Sequence, residues 1–155
     1  MSMHDIYSKP GHLIRRAQQI AVAIFMEECA VFDITPVQYA ALVAIRENPG
    51  VDATRLSHLV AFDRSTLGNV LERLEVKGLI KRSGSPEDKR IKVLMLSPKG
   101  VRILREVEPA VLKAQERILG PLKPPDRRRF VALLGELVAL NNHASRVPLR
   151  IISRA

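Results

Sequence analysis

A single change of hydrophobic period, at Gly78, constrains the fold of this chain more than any other feature of the sequence. Before Gly78 the apolar residues recur at helical spacing, most clearly over residues 67–74. After Gly78, residues 79–82 and 90–96 alternate in the way that predicts strands, and the turn-rich residues 83–89 separate them. A two-stranded hairpin is marginally stable alone in water. We therefore expect this hairpin to pack against the helices that precede it.

Capping residues place four helices before the hairpin. The first covers about residues 11–32 and has an apolar face wide enough for burial on two sides. Thr35 and Gln38 have the spacing of a capping box at the start of the second helix. Asp52 and Asp63 are expected to cap a third and a fourth helix, both short.

Two more helices and a basic tail are predicted after the hairpin. Ser97 caps a long helix that runs to about residue 119 and that Pro109 should kink. The last helix reaches about residue 144, and residues 146–155 form a flexible basic tail. Two short helices followed by a hairpin describe a winged helix-turn-helix. The predicted fold class is thus mainly α (α+β), with a winged helix-turn-helix and flanking helices.

Positive charge is concentrated in the middle of the chain, which has a formal net charge of +9. Residues 64–105 contain 11 Lys or Arg against 4 Asp or Glu, whereas residues 1–63 contain 5 against 7. The polar face of the fourth helix carries side chains that suit base edges and phosphates, namely Arg64, Ser65, Thr66, Asn69 and Arg73. Lys89 and Arg90 at the hairpin tip suit phosphates or a minor groove. The alternative is that this face is only the solvated side of an amphipathic helix.

Catalytic and metal-binding motifs are missing from the sequence. It has no glycine-rich phosphate loop, nucleophile elbow or His-Glu-x-x-His motif, and its four histidines are scattered. Cys29 is expected to be a small core residue rather than a zinc ligand or redox sensor, because Glu27 and Glu28 should raise its pKa. We therefore predict no enzymatic activity, no cofactor and no metal.

The expected location is the cytoplasm. A single Cys excludes an intramolecular disulfide framework, which favours a reducing compartment. No apolar run approaches about 18 residues, so neither a signal peptide nor a membrane span is predicted.

Four short motifs together resemble the MarR family of bacterial transcriptional regulators. They are D-R-S-T at 63–66, L-E-V-K-G-L-I-K-R at 74–82, D-K-R at 88–90 and L-M-L-S-P-K-G at 94–100. The resemblance covers about residues 11–143. It implies a repressor that binds a pseudo-palindromic operator in double-stranded DNA and is released by a small effector.

The resemblance also implies how the chain is divided. Residues 1–34 and 98–145 would form a helical dimerisation region, and residues 35–97 the winged helix-turn-helix lobe. The apolar faces of residues 11–32 and 125–144 exceed what one small lobe can cover. We therefore expect an obligate homodimer.

Individual roles follow from the positions that match the family motifs. Arg64, Ser65, Thr66 and Asn69 match the recognition positions, Arg90 the wing arginine for the minor groove, and Asp88 the carboxylate that orients it. Gly68 departs from the pattern, because relatives usually carry a polar base-reading residue there. This glycine should also weaken the helix by about 1 kcal/mol relative to Ala.

The effector is expected to be a small aromatic carboxylate, such as a hydroxylated benzoate or a pyridine carboxylate. Residues 11–19 are similar to those of regulators of aromatic or nicotinate catabolism. The candidate ligands of the carboxylate and ring are His12, Arg15, Arg16, Phe25 and Tyr39. Solvation or salt bridges across a dimer are the alternative roles for the arginines. The rival function for the whole chain is a non-specific nucleic-acid-binding or protein-interaction module.

Overall fold

The computed structural model describes residues 2–151, which form seven α-helices, two 3-10 helices and three strands. The α-helices are α1 (Met3–Tyr7), α2 (Pro10–Glu28), α3 (Pro36–Glu47), α4 (Ala53–Val60), α5 (Arg64–Val76), α6 (Pro98–Leu119) and α7 (Pro124–Leu140). The strands are β1 (Val51–Asp52), β2 (Ile80–Gly84) and β3 (Lys92–Leu96), and the 3-10 helices are Ala30–Phe32 and Asn142–Ala144. The mainly α fold with a helix, helix, hairpin order is confirmed.

All four predicted capping residues cap the N-terminus of a helix. Thr35 Oγ1 accepts a hydrogen bond from the Gln38 amide at 3.2 Å, and Gln38 Oε1 accepts one from the Thr35 amide at 3.3 Å. Asp52, Asp63 and Ser97 each accept a hydrogen bond from the amide three residues later. Polar side chains at these positions satisfy amides that a helix N-terminus leaves without partners. Local sequence therefore set where these helices begin.

Several predicted boundaries need correction. The first helix ends at Glu28 rather than at residue 32, and a 3-10 turn follows it and closes at Asp33 in the left-handed region, with φ 51°. A short helix, α1, precedes it and was not predicted. α7 ends at Leu140 rather than at residue 144. Pro109 lies inside α6, and the kink expected there stays a prediction.

The sheet has three strands, whereas the sequence predicted two. β2 and β3 form the predicted antiparallel hairpin, from Ile80 opposite Leu96 to Gly84 opposite Lys92. β1 adds to the other side of β3, with Val51 opposite Leu94, which gives the order β1-β3-β2. Two residues are too few to show alternation, so β1 leaves no periodic signal in the sequence.

Two apolar clusters hold the chain together. The larger one is shared by α3, α4, α5 and the sheet, and its centre contains Leu42, Ile45, Leu56, Leu71 and Leu94. The smaller one lies between α2 and α6 and contains Phe25, Cys29, Val107, Val111 and Ala114. Phe32 and Tyr39 pack against both clusters, so the helix-turn-helix lobe is coupled to the α2–α6 pair.

The start of α6 sits directly on the turn that follows α5. Gly78 adopts φ +69°, and its carbonyl accepts a hydrogen bond from Ser97 Oγ at 2.6 Å. The Ser97 amide donates to the Leu79 carbonyl at 3.0 Å. A Cβ placed on Gly100 would lie 2.1 Å from that same carbonyl oxygen. Only glycine fits there, which explains the Ser-Pro-Lys-Gly sequence at the junction.

The C-terminal tail is described as far as residue 151. Residues 145–150 turn back toward α4, and the Arg150 amide donates to the His58 carbonyl at 3.1 Å. The sequence predicts a flexible tail over residues 146–155, of which residues 152–155 lie outside the described part of the chain.

Candidate nucleic-acid interface

Helix α5 separates an apolar face from a polar one, as the sequence predicted. Its buried residues are Leu67, Val70, Leu71 and Leu74. The five predicted DNA-binding side chains on this helix are all exposed, namely Arg64, Ser65, Thr66, Asn69 and Arg73. They lie together on the surface opposite the core.

Asp63 organises the N-terminus of α5. Its carboxylate accepts hydrogen bonds from the Thr66 amide at 2.8 Å, from Ser65 Oγ at 2.8 Å and from Thr66 Oγ1 at 3.1 Å. These three donors hold the pKa of Asp63 below its usual value, with the Thr66 amide contributing most. Because both hydroxyls donate to Asp63, their oxygen lone pairs stay available as acceptors. Amino groups on base edges are the donors that suit them.

Arg64 joins the two helices of the motif. Its Nη1 donates to Thr54 Oγ1 in α4 at 2.8 Å. One such contact leaves the other N–H groups of the guanidinium available to a base or a phosphate. This contact holds the guanidinium at the junction between α4 and the start of α5.

The hairpin tip presents the predicted wing residues. Arg90 is 95% exposed, and its amide donates to Asp88 Oδ1 at 2.9 Å. The same carboxylate oxygen lies 3.9 Å from Arg90 Nε, and Lys89 is exposed beside it. Asp88 therefore fixes the backbone of the tip while leaving the arginine side chain projecting into solvent.

An ion pair between the hairpin and α5 was not predicted. Arg82 Nε in β2 lies 3.0 Å from Glu75 Oε2 in α5. Both border an open groove beside the exposed face of α5, lined by Arg64, Ser65, Gly68, Asn69, Glu72, Glu75 and Arg82. Opposite charges on adjacent elements were the available signal, but the register that pairs them is a tertiary feature. The pair links β2 of the wing to α5 at the surface.

Lys77 connects the end of α5 to the junction between α2 and α3. Its Nζ lies 2.8 Å from Asp33 Oδ2 and 3.3 Å from Gln38 Oε1, and it also donates to the Asp33 carbonyl. The ammonium holds the pKa of Asp33 below its usual value. This contact ties the C-terminal end of α5 to the segment that joins α2 and α3.

The five predicted effector residues fall into two groups. Phe25 is buried and Tyr39 is partly buried against it, with ring centroids 6.1 Å apart. His12, Arg15 and Arg16 are exposed or partly exposed near the start of α2, where Arg15 approaches His12 Nδ1 at 3.3 Å and Arg16 donates to Gln19 at 2.8 Å. Thirteen residues of helix separate His12 from Phe25, a distance of about 20 Å. Within one chain, these two residues are too far apart to bracket one small ring.

A separate crevice lies between α2 and α5. It has a volume of about 350 Å³ and an apolar wall formed by Val22, Met26, Pro36 and Val37. Asn69 and Arg73 of α5 line its other side. No local sequence pattern predicts this crevice, because its lining comes from three helices that only the fold brings together.

Cys29 has the environment of a core residue. It is buried against Phe25 and α6. Burial raises the pKa of the thiol, and the neighbouring Glu28 raises it further. A thiol with a raised pKa is a poor nucleophile and metal ligand.

Comparison with known proteins agrees with this geometry. Residues 34–92 match the MarR family. The HTH-type transcriptional repressor NicR of Pseudomonas putida is 27% identical over 141 residues, which cover 91% of this chain and 89% of NicR. A structure of Bordetella bronchiseptica BpsR, described as regulated in its DNA binding by 6-hydroxynicotinic acid, is 30% identical with a TM-score of 0.78, covering 84% of this chain and 94% of BpsR.

The chain belongs to the MarR family. The repressor CouR, solved bound to a 23-mer DNA duplex, superposes with a TM-score of 0.80 at 27% identity, covering 89% of this chain and 98% of CouR. MarR-family proteins are DNA-binding transcriptional regulators rather than enzymes. The predicted family and winged helix-turn-helix fold are therefore confirmed. Among residues 2–151, no helix is both long and apolar enough to span a bilayer.

Proposed function

We propose that this MarR-family protein is a repressor that binds a pseudo-palindromic operator as a homodimer and is released by a small aromatic carboxylate. The observation that carries the proposal is the exposed polar face of α5 beside a projecting wing arginine. This arrangement suits a helix in a major groove with a wing at the neighbouring backbone or minor groove.

The DNA contacts divide between reading and positioning. On α5, Asn69 suits adenine, and Arg64 or Arg73 suits guanine. Ser65 and Thr66 accept from base amino groups or bind phosphate. Arg90 reaches a minor groove with Asp88 setting its direction, while Lys89 adds a phosphate contact.

The homodimer is supported by an uncovered apolar surface. In the single chain, α7 has no buried residue. Leu133 is 56% exposed, Leu137 46% and Phe130 42%. Soluble monomers rarely expose apolar patches of this kind. A second copy that covers α7 and the exposed side of α2 with the same elements gives the closed two-fold contact that a palindromic operator requires.

The effector site we propose combines the two groups of predicted residues across the dimer. Tyr39, which is only partly buried, forms the aromatic side of the site with the Phe25 ring packed behind it, and the first half of α2 from the partner supplies His12, Arg15 and Arg16 for the carboxylate. The separation of about 20 Å along one α2 favours a site shared by two chains. The relative BpsR, whose DNA binding is described as regulated by 6-hydroxynicotinic acid, supports an aromatic acid as the effector. The relative NicR, described as a transcriptional repressor, supports repression.

Operator binding is tested by gel shift. An intergenic fragment upstream of the gene is compared with unrelated DNA of equal length over a range of salt concentrations. Specific repressors bind their sites about 10³- to 10⁷-fold more tightly than other DNA. Equal affinity for the two fragments contradicts the proposal and favours the non-specific module.

Release is tested with a panel of benzoates, nicotinates and their hydroxylated forms added to the operator complex. Coupling of about 1 to 3 kcal/mol predicts an affinity loss of about 5- to 150-fold for an active compound. Arg15→Ala and Arg16→Ala should abolish that response while leaving operator affinity without ligand unchanged. Arg128→Ala, on the surface of α7, is the control. Compounds that act equally on the two α2 variants contradict this site.

A further inference from the structure

The segment after α7 folds into a short loop pinned by one side chain. Asn142 Nδ2 donates to the Leu149 carbonyl at 3.0 Å, and the Leu149 amide donates to Asn142 Oδ1 at 2.8 Å. Inside the loop, Ser145 Oγ donates to the Val147 carbonyl at 3.0 Å, and the Val147 amide donates to Ser145 Oγ at 3.2 Å. The Asn142 side chain thus pairs with both backbone groups of Leu149, as a neighbouring strand would. It holds the loop so that the residues that follow run toward α4.

This segment completes the end of α4, the first helix of the helix-turn-helix. The last carbonyls of a helix lack partners within that helix. The Ser57 carbonyl is used by the amides of Ala61 and Phe62 in the turn. The His58 carbonyl is instead taken by the Arg150 amide at 3.1 Å. Residue 150 is thereby docked on α4 by its backbone, and its side chain is exposed.

The other arginine of the segment lies near the start of α5. Arg146 is exposed, and its positive charge contributes to the lowered pKa of Asp63, after the larger effect of the Thr66 and Ser65 hydrogen bonds. The segment thus brings one cation to each end of the turn between α4 and α5. Both ends lie beside the face that we propose for DNA.

We propose that residues 145–151 form a third DNA-contacting element, which carries Arg146 and Arg150 to phosphates flanking the groove that α5 enters. The inference rests on the proposed operator binding. Exposed cations that are held by their backbone beside a helix-turn-helix suit the DNA backbone, because first helices of this motif cross it. Phosphate contacts fix register and add affinity without reading sequence.

The double variant Arg146→Gln/Arg150→Gln in the full chain tests the proposal directly. Each phosphate contact contributes about 0.9 to the salt slope, so its contribution to affinity changes by about eightfold for a tenfold change in salt concentration. We expect the slope to fall by about 2 and the affinity to fall equally for operator and random DNA. The matched control is Arg128→Gln, which makes the same change of charge on α7 and should leave the slope unchanged.

A second variant tests docking rather than charge. Asn142→Ala keeps both arginines but releases the loop, so the Arg150 amide should exchange with solvent faster and affinity should fall to an intermediate value. Circular dichroism of both variants checks that the helices persist. Slow exchange in Asn142→Ala overturns the pinning role of that side chain.

The outcomes separate this inference from the function on which it rests. A wild-type protein that does not prefer operator over random DNA contradicts the repressor. A wild-type protein that prefers operator, with a double variant of unchanged slope, overturns only the tail contact. A double variant that binds more tightly overturns it as well, since the segment would then oppose DNA binding. If the Arg150 amide of Asn142→Ala exchanges fast while the variant binds DNA with wild-type affinity, docking of the segment on α4 does not contribute to DNA binding.

Discussion

The helix-turn-helix lobe and helix α7 differ in how much of their apolar surface a single chain buries. The lobe surrounds a continuous cluster of 14 buried residues contributed mainly by α3, α4, α5 and the sheet. Helix α7 is longer than α5, yet none of its residues is buried. The lobe therefore encloses its own apolar core, whereas α7 exposes apolar area that only another surface can cover. The lobe can therefore bury its core without a partner, whereas the homodimer that we propose would stabilise α7 by covering its apolar face.

The α2–α6 pair lies between these two extremes. Its small apolar cluster is supplemented by ion pairs, in which Glu28 contacts Lys113 at 2.9 Å and Arg117 at 2.5 Å. These partners hold the pKa of Glu28 below its usual value, with Lys113 contributing most. This pair packs against the self-contained lobe through Phe32 and Tyr39, and α6 leads along the chain into the incomplete helix α7.

The largest expected effect comes from placing charge on the uncovered face of α7. Leu133→Glu/Leu137→Glu should break the dimer and leave each lobe folded. Two linked half-sites bind about 10²- to 10⁴-fold more tightly than one, so operator affinity should fall by that order. Light scattering and gel shift measure the two effects. Arg128→Glu, on the opposite side of α7, is the control, and a double variant that stays dimeric contradicts the comparison.

A smaller loss is expected where the lobe meets α6. Gly100→Ala places a Cβ against the Leu79 carbonyl, and the resulting shift should destabilise the chain by about 1 to 3 kcal/mol. Urea unfolding measures this change. Gly68→Ala is the matched control, because a Cβ at Gly68 meets no atom within 4 Å. Equal stability of the two variants would mean that the junction tolerates displacement of α6.

Within the lobe, substitutions in the wing and in α5 should change DNA binding in different ways. Asn69→Ala should relax discrimination at one base position by about 1 to 3 kcal/mol. Arg90→Ala should weaken binding to all sequences and lower the salt slope by about 1. A set of single-base operator variants, titrated at several salt concentrations, separates the two effects. Uniform losses on every sequence for both variants would remove the reading role from α5.

Sequence reasoning was most successful where a local rule decides the structure. Thr35, Asp52, Asp63 and Ser97 each act through an amide three residues away, so spacing alone located the helix starts. Helix ends were less accurate, because the 3-10 turn after Glu28 has no comparable marker. The first and last helices were accordingly predicted to end about four residues too late.

Features that join distant parts of the chain escaped prediction. Strand β1 exists through its pairing with β3, which lies about 40 residues later. The Arg82–Glu75 pair and the docking of Arg150 on His58 likewise depend on packing. The exposure of the side chains on α5 that we predict to contact DNA was expected correctly, because helical periodicity fixes which face of α5 is free. Their role in DNA binding stays a prediction. The effector group was not assembled in one chain, because its members lie far apart along α2.

A gain in stability is expected at the exposed glycine of α5. Gly68→Ala should stabilise the chain by about 1 kcal/mol, since alanine loses less backbone entropy in a helix. Its effect on DNA reports how closely the helix backbone approaches the groove. Reduced operator affinity together with higher stability indicates close approach at this position. Unchanged affinity places Gly68 away from the DNA, and lower stability contradicts the open surroundings of this residue.

The smallest effect concerns pH and the cap of α5. Hydrogen bonds from Thr66 and Ser65 lower the folded-state pKa of Asp63 relative to the unfolded chain. Its carboxylate therefore stabilises the folded protein above the unfolded-state pKa, and this contribution is lost as pH falls through the folded-state value. Asp63→Asn keeps a competent cap without the charge. Urea unfolding of both proteins from pH 7 to pH 3 should show wild type more stable at neutral pH, with the difference shrinking below about pH 4. A difference that grows on acidification contradicts the lowered pKa, whereas a constant difference means that the amide and hydroxyl donors do not distinguish the two protonation states.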